Sequence, residues 1–216
     1  MPAPRAPRHD HSAALAQYQR RAPYYDAELA LLEPLRLEAI ARLALRPGQT
    51  VLDVGCGTGL SLALLRQGVG ARGHVIGIDQ SPAMLERARA CVRQHGWRNV
   101  RLIESSVEMA EIASPPADAA LFHFTHDVLR APLALDNVLR HLCAGAQIVA
   151  CGLQWASLWA WPMNLFVLGA ALHSVSSLEG LQQPWKELAE RMRTLQITTA
   201  LGGAVFIASG TAKEAP

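Results

Sequence analysis

Val51-Leu52-Asp53-Val54-Gly55-Cys56-Gly57-Thr58-Gly59 is the stretch on which the fold turns. Thr50–Val54 has strand character, three glycines spaced G-x-G-x-G follow, and Leu60–Gln67 reads as a helix. Glycine accepts positive φ and lets a ligand approach the main chain, and the start of a helix offers unpaired N–H groups. A dinucleotide fingerprint is G-x-G-x-x-G. Here the third glycine comes one residue early, position 60 is Leu, and the P-loop lysine is missing. The turn therefore disfavours a pyrophosphate. Asp53, two residues before the first glycine, suits a ligand with an ammonium group instead.

The second decisive element is Val75-Ile76-Gly77-Ile78-Asp79, a strand ending in an acid 22 residues after Gly57. A carboxylate at the end of the second strand can accept both hydroxyls of a ribose. Ser81 then caps a helix with Pro82 at its first position, where a missing N–H costs nothing; this helix is expected to run to about His95. Val100–Ile103, Ala117–Phe124 and Gln147–Cys151 read as further strands, and a helix from Pro132 to a stop at Gly145 separates the last two. Strands and helices thus alternate from residue 50 to 152, which predicts a doubly wound, mostly parallel α/β sheet covered on both faces. The chain closes differently. Leu195–Ala200 and Ala204–Ser209 are joined by Leu201-Gly202-Gly203, a hairpin signal that predicts an antiparallel finish.

Ahead of this unit, residues 1–12 read as a flexible tail and 13–46 as an N-terminal helical cap, with an apolar face of Leu29, Leu32, Leu35, Ile40 and Leu43 interrupted by Pro34. The main domain then spans 47–212, with a lid inserted at about 153–193. The length of 216 residues suits one domain with an arm. Half the residues are hydrophobic, 18% are charged, and the net charge is +2, from 18 Arg and 2 Lys against 18 acids. That balance excludes a diffuse polybasic nucleic-acid binder. Cys56, Cys91, Cys143 and Cys151 form no C-x-x-C, so reduced thiols and a cytoplasmic location are expected. No apolar stretch of secretory type follows Met1, and no zinc-ligand spacing occurs.

VLDVGCGTG, VIGIDQSPAML, DAALFHFTHD and LRHLCAGAQIVACG, in that order, resemble the successive motifs of class I S-adenosylmethionine-dependent methyltransferases. The resemblance covers about residues 20–210. It implies a seven-stranded Rossmann-like sheet with an antiparallel C-terminal strand, S-adenosyl-L-methionine as methyl donor, S-adenosyl-L-homocysteine as product, and no metal. It also implies that Asp53, Gly55, Cys56 and Gly57 hold the methionine end, that Asp79 binds the ribose, that Gln80 lies beside the adenine and that Met84 packs on the ring. Where many members carry an Asp for the adenine amine this chain has Ser106, and the Val107 N–H could serve in its place. The Tyr24-Tyr25-Asp26 spacing, Gly96-Trp97 and the stretch from Pro184-Trp185 to Gly210 look similar to bacterial phosphatidylethanolamine-type N-methyltransferases and to quinone C-methyltransferases.

In an open α/β sheet the ligand lies beyond the carboxyl ends of the strands, so Phe122-His123-Phe124-Thr125-His126-Asp127 should face it. His123 and His126 are candidate bases or amine-orienting groups, or simply satisfied loop histidines. Tyr24 is a further catalytic candidate, and Tyr25 could close over the cofactor, as His123 could; both tyrosines could equally pack at a helix junction. The Asn/Asp-Pro-Pro-Tyr box of nucleobase and amide methylases is absent, which argues against those substrates. From His141 to Leu178 a run of 38 residues holds no Asp, Glu, Lys or Arg. It includes Trp155, Trp159 and Trp161, and a stripe of Trp161, Leu165, Leu168 and Leu172 with Phe166 and Val167 beside it. The helix after Pro162 is about 14 residues, ~21 Å, long, too short for a span. The Trp-rich loop and helix are either a lid packed on the sheet, or they line an apolar pocket or dip into the lipid interface through residues 155–168.

The sequence therefore predicts methyl transfer to a small or amphiphilic acceptor, an amine of a lipid headgroup or secondary metabolite being favoured. A C- or O-methyltransferase of a quinone or polyketide-like ring is the enzymatic alternative. A non-catalytic S-adenosylmethionine-binding protein is the rival class. Oligomeric state is not legible.

Overall fold

The computed structural model describes residues 32–156, 164–165, 167–168 and 180–213. The expected tail, residues 13–31 of the expected cap, Tyr24, Tyr25, Trp159 and Trp161, and residues 157–163, 166 and 169–179 of the expected lid lie outside the described residues. The chain opens with α1 (Glu33–Arg42). Pro34, expected to interrupt a helix, sits in the first turn of α1, where its missing N–H is one that would have had no partner. There follow β1 (Thr50–Val54), α2 (Leu62–Val69), β2 (His74–Asp79), α3 (Pro82–Gln94), β3 (Val100–Glu104) and a 3-10 turn (Val107–Met109). Then come β4 (Ala117–His123), α4 (His126–Leu129), α5 (Pro132–Arg140), β5 (Leu142–Leu153), α6 (Lys186–Ala189), β6 (Met192–Ala200) and β7 (Val205–Ala212).

The seven strands form one sheet in the order β3-β2-β1-β4-β5-β7-β6. The pairs β1/β2, β1/β4, β2/β3 and β4/β5 are parallel, and β7 runs antiparallel to both β5 and β6. The hairpin is set by Leu201, Gly202 and Gly203, with φ of 49°, 62° and 93° in succession. Three left-handed residues in a row turn the chain sharply enough to place β7 inside the sheet and β6 at its edge. The strand order reverses between β1 and β4, and this switch point is where such sheets open a crevice.

Alternation along the strands sorts the core into two layers. Val51, Leu121, Val149 and Cys151 face one side, where Leu35, Ala39 and Ile40 of α1, Leu62 and Leu65 of α2 and Leu85 of α3 cover them. Leu52, Val54, Phe122, Ile148 and Phe206 face the other, against Leu135 and Val138 of α5 and Leu188 of α6. Phe122 and Phe206 are fully buried, each worth about 1.5–3 kcal/mol of burial.

Two boundaries differ from expectation. Gly145, expected to stop the helix, lies inside β5 with φ 73°. The β4/β5 register slips there, Ala117 facing Leu142 but Ala119 facing Gln147; the extra residues bulge out at the start of β5, and glycine makes the bulge possible. Gly68 stays within α2, and Gly70, at φ 68°, ends it. Of the apolar stripe expected after Pro162, Leu165 is 59% exposed while Val167 is fully buried, so the inward side belongs to the neighbouring position.

Candidate functional site

The glycine turn is strapped to the end of β2. The Gly55 and Cys56 amides donate to the Ile78 carbonyl oxygen at 2.8 and 3.0 Å. The Gly57 amide donates to Asp79 Oδ2 at 2.9 Å, and the Ser81 amide to Asp79 Oδ1 at 2.8 Å. Ser81 Oγ in turn accepts from the Met84 amide at 3.4 Å, capping α3. Each link depends on the previous one: the cap holds Ser81, Ser81 orients Asp79, and Asp79 holds Gly57. Burial raises the Asp79 pKa, and the amides of Ser81, Gly57 and Gln80 oppose that rise, so the carboxylate is held in place by donors rather than by a cation.

The three glycines have different roles. Gly55 (φ 71°) has Thr125 packed on it, and an added Cβ would lie 2.3 Å from Thr125 Cγ2. An added Cβ at Gly59 (φ 88°) would strike Leu62 and Ala88. Gly57 (φ 55°) fronts open space, with nothing within 4 Å, so it is the position where a ligand can approach the main chain. We expect Gly55→Ala to lower stability by about 2–4 kcal/mol, through the positive φ and the clash with Thr125, read as a fall in melting temperature. Gly57→Ala should cost less stability and should show its effect in ligand binding.

Cys56 is turned away from this space. Its side chain packs over Gly77, where an added Cβ would be 2.9 Å from its Sγ. Burial, then Asp53 and Asp79, push its thiol pKa well up, and burial pushes Cys151 up to about 12; neither is a thiolate nucleophile. Met84 is 2% exposed. Val107 is buried, with its carbonyl oxygen accepting from Asn137 Nδ2 at 2.7 Å. Ser106, half-buried, precedes it at the end of the β3 connection, where its carbonyl oxygen accepts from the Met109 amide. Gln80 is half-buried beside Asp79.

On the other side of the switch point, β4 ends at His123, and Phe124 adopts φ 58°. A left-handed phenylalanine is strained, and such strain concentrates at functional sites. His123 is half-buried, but its Nε2 is sealed from solvent. Burial, and then the Arg36 guanidinium, push it down to about 3. His126 is 5% exposed, and its Nε2 lies 2.9 Å from the Leu153 carbonyl oxygen. Burial lowers its pKa as well. His126 thus clasps α4 to the end of β5 through Nε2, while His123 Nε2 has no hydrogen-bond partner among the described residues.

Five buried polar atoms find no hydrogen-bond partner among the described residues around this crevice: Arg36 Nη2, Asp53 Oδ2, His123 Nε2, Thr125 Oγ1 and Gln154 Oε1. Protein interiors rarely leave such atoms unmade, and their concentration at the carboxyl ends of β1, β4 and β5 marks the binding space. Asp53, 2% exposed, is raised to about 7 by burial, then by Asp79, with Arg36 opposing. Arg36 and Gln154 were missed in the sequence, and Thr125 was placed only as part of the segment expected to face the ligand. A charge inside the Leu32–Leu35–Ala39–Leu43 stripe was the available sign for Arg36.

A doubly wound sheet with one reversed strand, and a glycine turn latched to an acid at the end of the second strand, defines a nucleoside-binding domain of methyltransferase type. The comparisons agree. A family model described as a methyltransferase domain matches residues 45–162, and the chain belongs to this class I S-adenosylmethionine-dependent methyltransferase family. It is 47% identical over 57 residues to the arsenite methyltransferase of Halobacterium salinarum, a match covering 26% of this chain and 15% of that protein. It is 43% identical over 61 residues to an aklanonic acid methyltransferase of a Streptomyces species, covering 28% of each. The chain thus spans less than a third of the length of these curated relatives. A SAM-dependent methyltransferase from Aquifex aeolicus shares the fold, with a TM-score of 0.57 at 21% identity over 82% of this chain and 89% of that one.

The residues suit the family's cofactor. An open glycine, a carboxylate aimed by two amides, and a buried Asp53 whose Oδ2 has no partner among the described residues match a nucleoside that carries a cationic amino-acid tail. Among the described residues no group of three or more His, Cys, Asp or Glu could hold a metal. Among them, too, no helix is long and apolar enough to cross a membrane.

Proposed function

We propose that the protein transfers a methyl group from S-adenosylmethionine to a small or amphiphilic acceptor, an amine of a lipid headgroup or secondary metabolite being the class favoured. When bound, the cofactor supplies an electrophilic methyl on a sulfonium; the chain's task is to position the nucleophile and exclude water, which can contribute roughly 7–11 kcal/mol. Asp79 would hold the ribose, Asp53 the ammonium, and the Gly57 main chain would lie against the tail. Residues 155–168 remain the proposed place of any contact with lipid.

One observation carries the choice of an amine. His123 Nε2 at the crevice has no partner among the described residues, and a group pushed down to about 3 holds no proton near neutrality. It can accept a hydrogen bond and orient an amine, but it is a poor base for a phenol or carbon acid. A neutral amine needs no base before attack, because its lone pair is already free. The second reading, C- or O-methylation of a ring, is favoured by Phe124 and Trp155, both packed at the edge of the core beside the site, and by the aklanonic acid relative.

The test is transfer of radiolabelled methyl to panels of amines, phenols and lipid extracts across pH. The amine reading expects product whose rate rises through the amine's own pKa. Products from phenols or carbon acids alone would favour the ring reading. Cofactor binding without any turnover would favour a binding module.

A further inference from the structure

Gln154 stands one residue past the end of β5 and is 6% exposed. Two bonds to the turn between β6 and β7 fix it. Its main-chain amide donates to the Ala204 carbonyl oxygen at 2.9 Å, and its side-chain Nε2 donates to the Gly203 carbonyl oxygen at 2.8 Å. The left-handed Gly203, at φ 93°, presents that carbonyl to the end of β5. An oxygen there would face another oxygen, so the side-chain amide has one orientation, with Nε2 on Gly203 and Oε1 away from it. Oε1 is sealed from solvent and has no hydrogen-bond partner among the described residues.

Its place in the sheet puts this oxygen on the acceptor side. The glycine turn and Asp79 belong to β1 and β2, whereas β4 and then β5 lie on the other side of β1. Neighbouring strands are ~4.8 Å apart, so the end of β5 stands ~10 Å across from the end of β1. The segment after β4 leans on β5: His126 Nε2 lies 2.9 Å from the Leu153 carbonyl oxygen, and a Cβ added at Gly152 would be 2.7 Å from His126 Cε1. His123 Nε2 and Thr125 Oγ1, also without partners among the described residues, flank that contact. Those two can donate or accept, by tautomer or by rotation of the hydroxyl, but an amide oxygen only accepts. Gln154 Oε1 therefore requires a donor from whatever is bound. A buried acceptor left unmade costs about 1–3 kcal/mol, so a ligand that brings the hydrogen is favoured over one that lacks it.

We infer that Gln154 is a specificity-determining residue whose Oε1 takes an N–H of the methyl acceptor. This rests on the amine reading above and deepens it. In the transfer the nitrogen lone pair forms the new N–C bond as the S–C bond of the donor breaks. The positive charge passes from sulfur to nitrogen, and the product ammonium gives up a proton to water. During the attack the nitrogen must also carry a hydrogen for Oε1. Neutral primary and secondary amines have one, and a neutral tertiary amine has none. Gln154 thus restricts the acceptor to amines with an N–H and ends repeated transfer at the tertiary amine.

The probe is the amine that gives most product in the panel above, compared as its primary, N-methyl and N,N-dimethyl forms. In wild type, kcat/KM for the primary and secondary forms should exceed that for the tertiary form by ~10- to 100-fold, and mass spectrometry should find no quaternary product. Gln154→Leu keeps most of the volume and removes the carbonyl. It should bring the secondary-to-tertiary ratio close to one, and weaken calorimetric binding of the secondary amine, with S-adenosylhomocysteine present, by a similar factor. Its affinity for S-adenosylhomocysteine itself should match wild type. Equal use of secondary and tertiary amines by wild type, or accumulation of quaternary product, overturns the inference and leaves the amine reading standing. So does a folded Gln154→Leu that slows all three forms alike with the ratio unchanged, the result expected if Gln154 only braces the turn at Gly203. Absence of product from every amine overturns both. The wild-type ratio and product need no variant, so a misfolded Gln154→Leu does not block the test.

Discussion

Asp79→Ala is expected to weaken S-adenosylmethionine binding by ~100-fold or more, measured by calorimetry, with the fold intact by circular dichroism. The side chain contributes twice. It accepts from the Gly57 and Ser81 amides at 2.9 and 2.8 Å, and so sets the shape of the turn; it would also hold the ribose. Hydrogen bonds to a charged group contribute about 1.5–3 kcal/mol each, and two of them give the expected loss. Asp79→Asn keeps the volume but replaces one acceptor oxygen with a donor facing an amide. It should recover little, whereas a residue that only packed would tolerate the exchange. An affinity within a few-fold of wild type in Asp79→Ala would remove the ribose from this end of β2.

The second large effect is on stability against pH. Asp53 keeps its proton to about 7 in the folded chain, because it is buried near Asp79, against 3.8 ordinarily. The folded state therefore binds more protons than the unfolded state between these values, and stability falls as pH rises through that window. Below the lower value both states are protonated and the cost is absent; above the upper one it is complete and constant. A shift of this size corresponds to ~4 kcal/mol. Asp53→Asn should thus be the more stable protein at pH 8 without cofactor, with the advantage gone at pH 4, measured by urea unfolding at each pH. It should also bind S-adenosylmethionine more weakly, since an amide offers the ammonium no charge. Together the two readouts show a site that gives up stability to hold a cation. A variant no more stable than wild type at pH 8 would mean that Asp53 is already ionised in the free protein.

Asp53 and Asp79 could be found in the sequence because their positions follow from local rules. A strand, a glycine turn and a helix place the residues around them within a few ångströms, whatever the rest of the chain does. The capped start of α3 at Ser81 and the Leu201-Gly202-Gly203 hairpin were legible for the same reason: turn chemistry is set by the residues in the turn. Gly145 was misread because glycine ends helices and bulges strands alike, and only the register between β4 and β5 distinguishes the two. His126 looked as available as His123. The difference lies in a carbonyl 27 residues further on, at Leu153, which no local pattern could bring near.

By itself, then, the amino-acid order determined the alternation of strands and helices, the glycine turn, the acid that faces it and the reversed finish, because each depends on backbone preferences within a few residues. The tertiary packing alone decided which polar groups lose water without gaining a partner. Arg36, Thr125 and Gln154 come from separate parts of the chain and, like Asp53, are left with an unpartnered buried atom among the described residues only once α1 packs over β4 and β5. Desolvation acts on a group according to everything packed around it, and that environment exists only after the chain has closed.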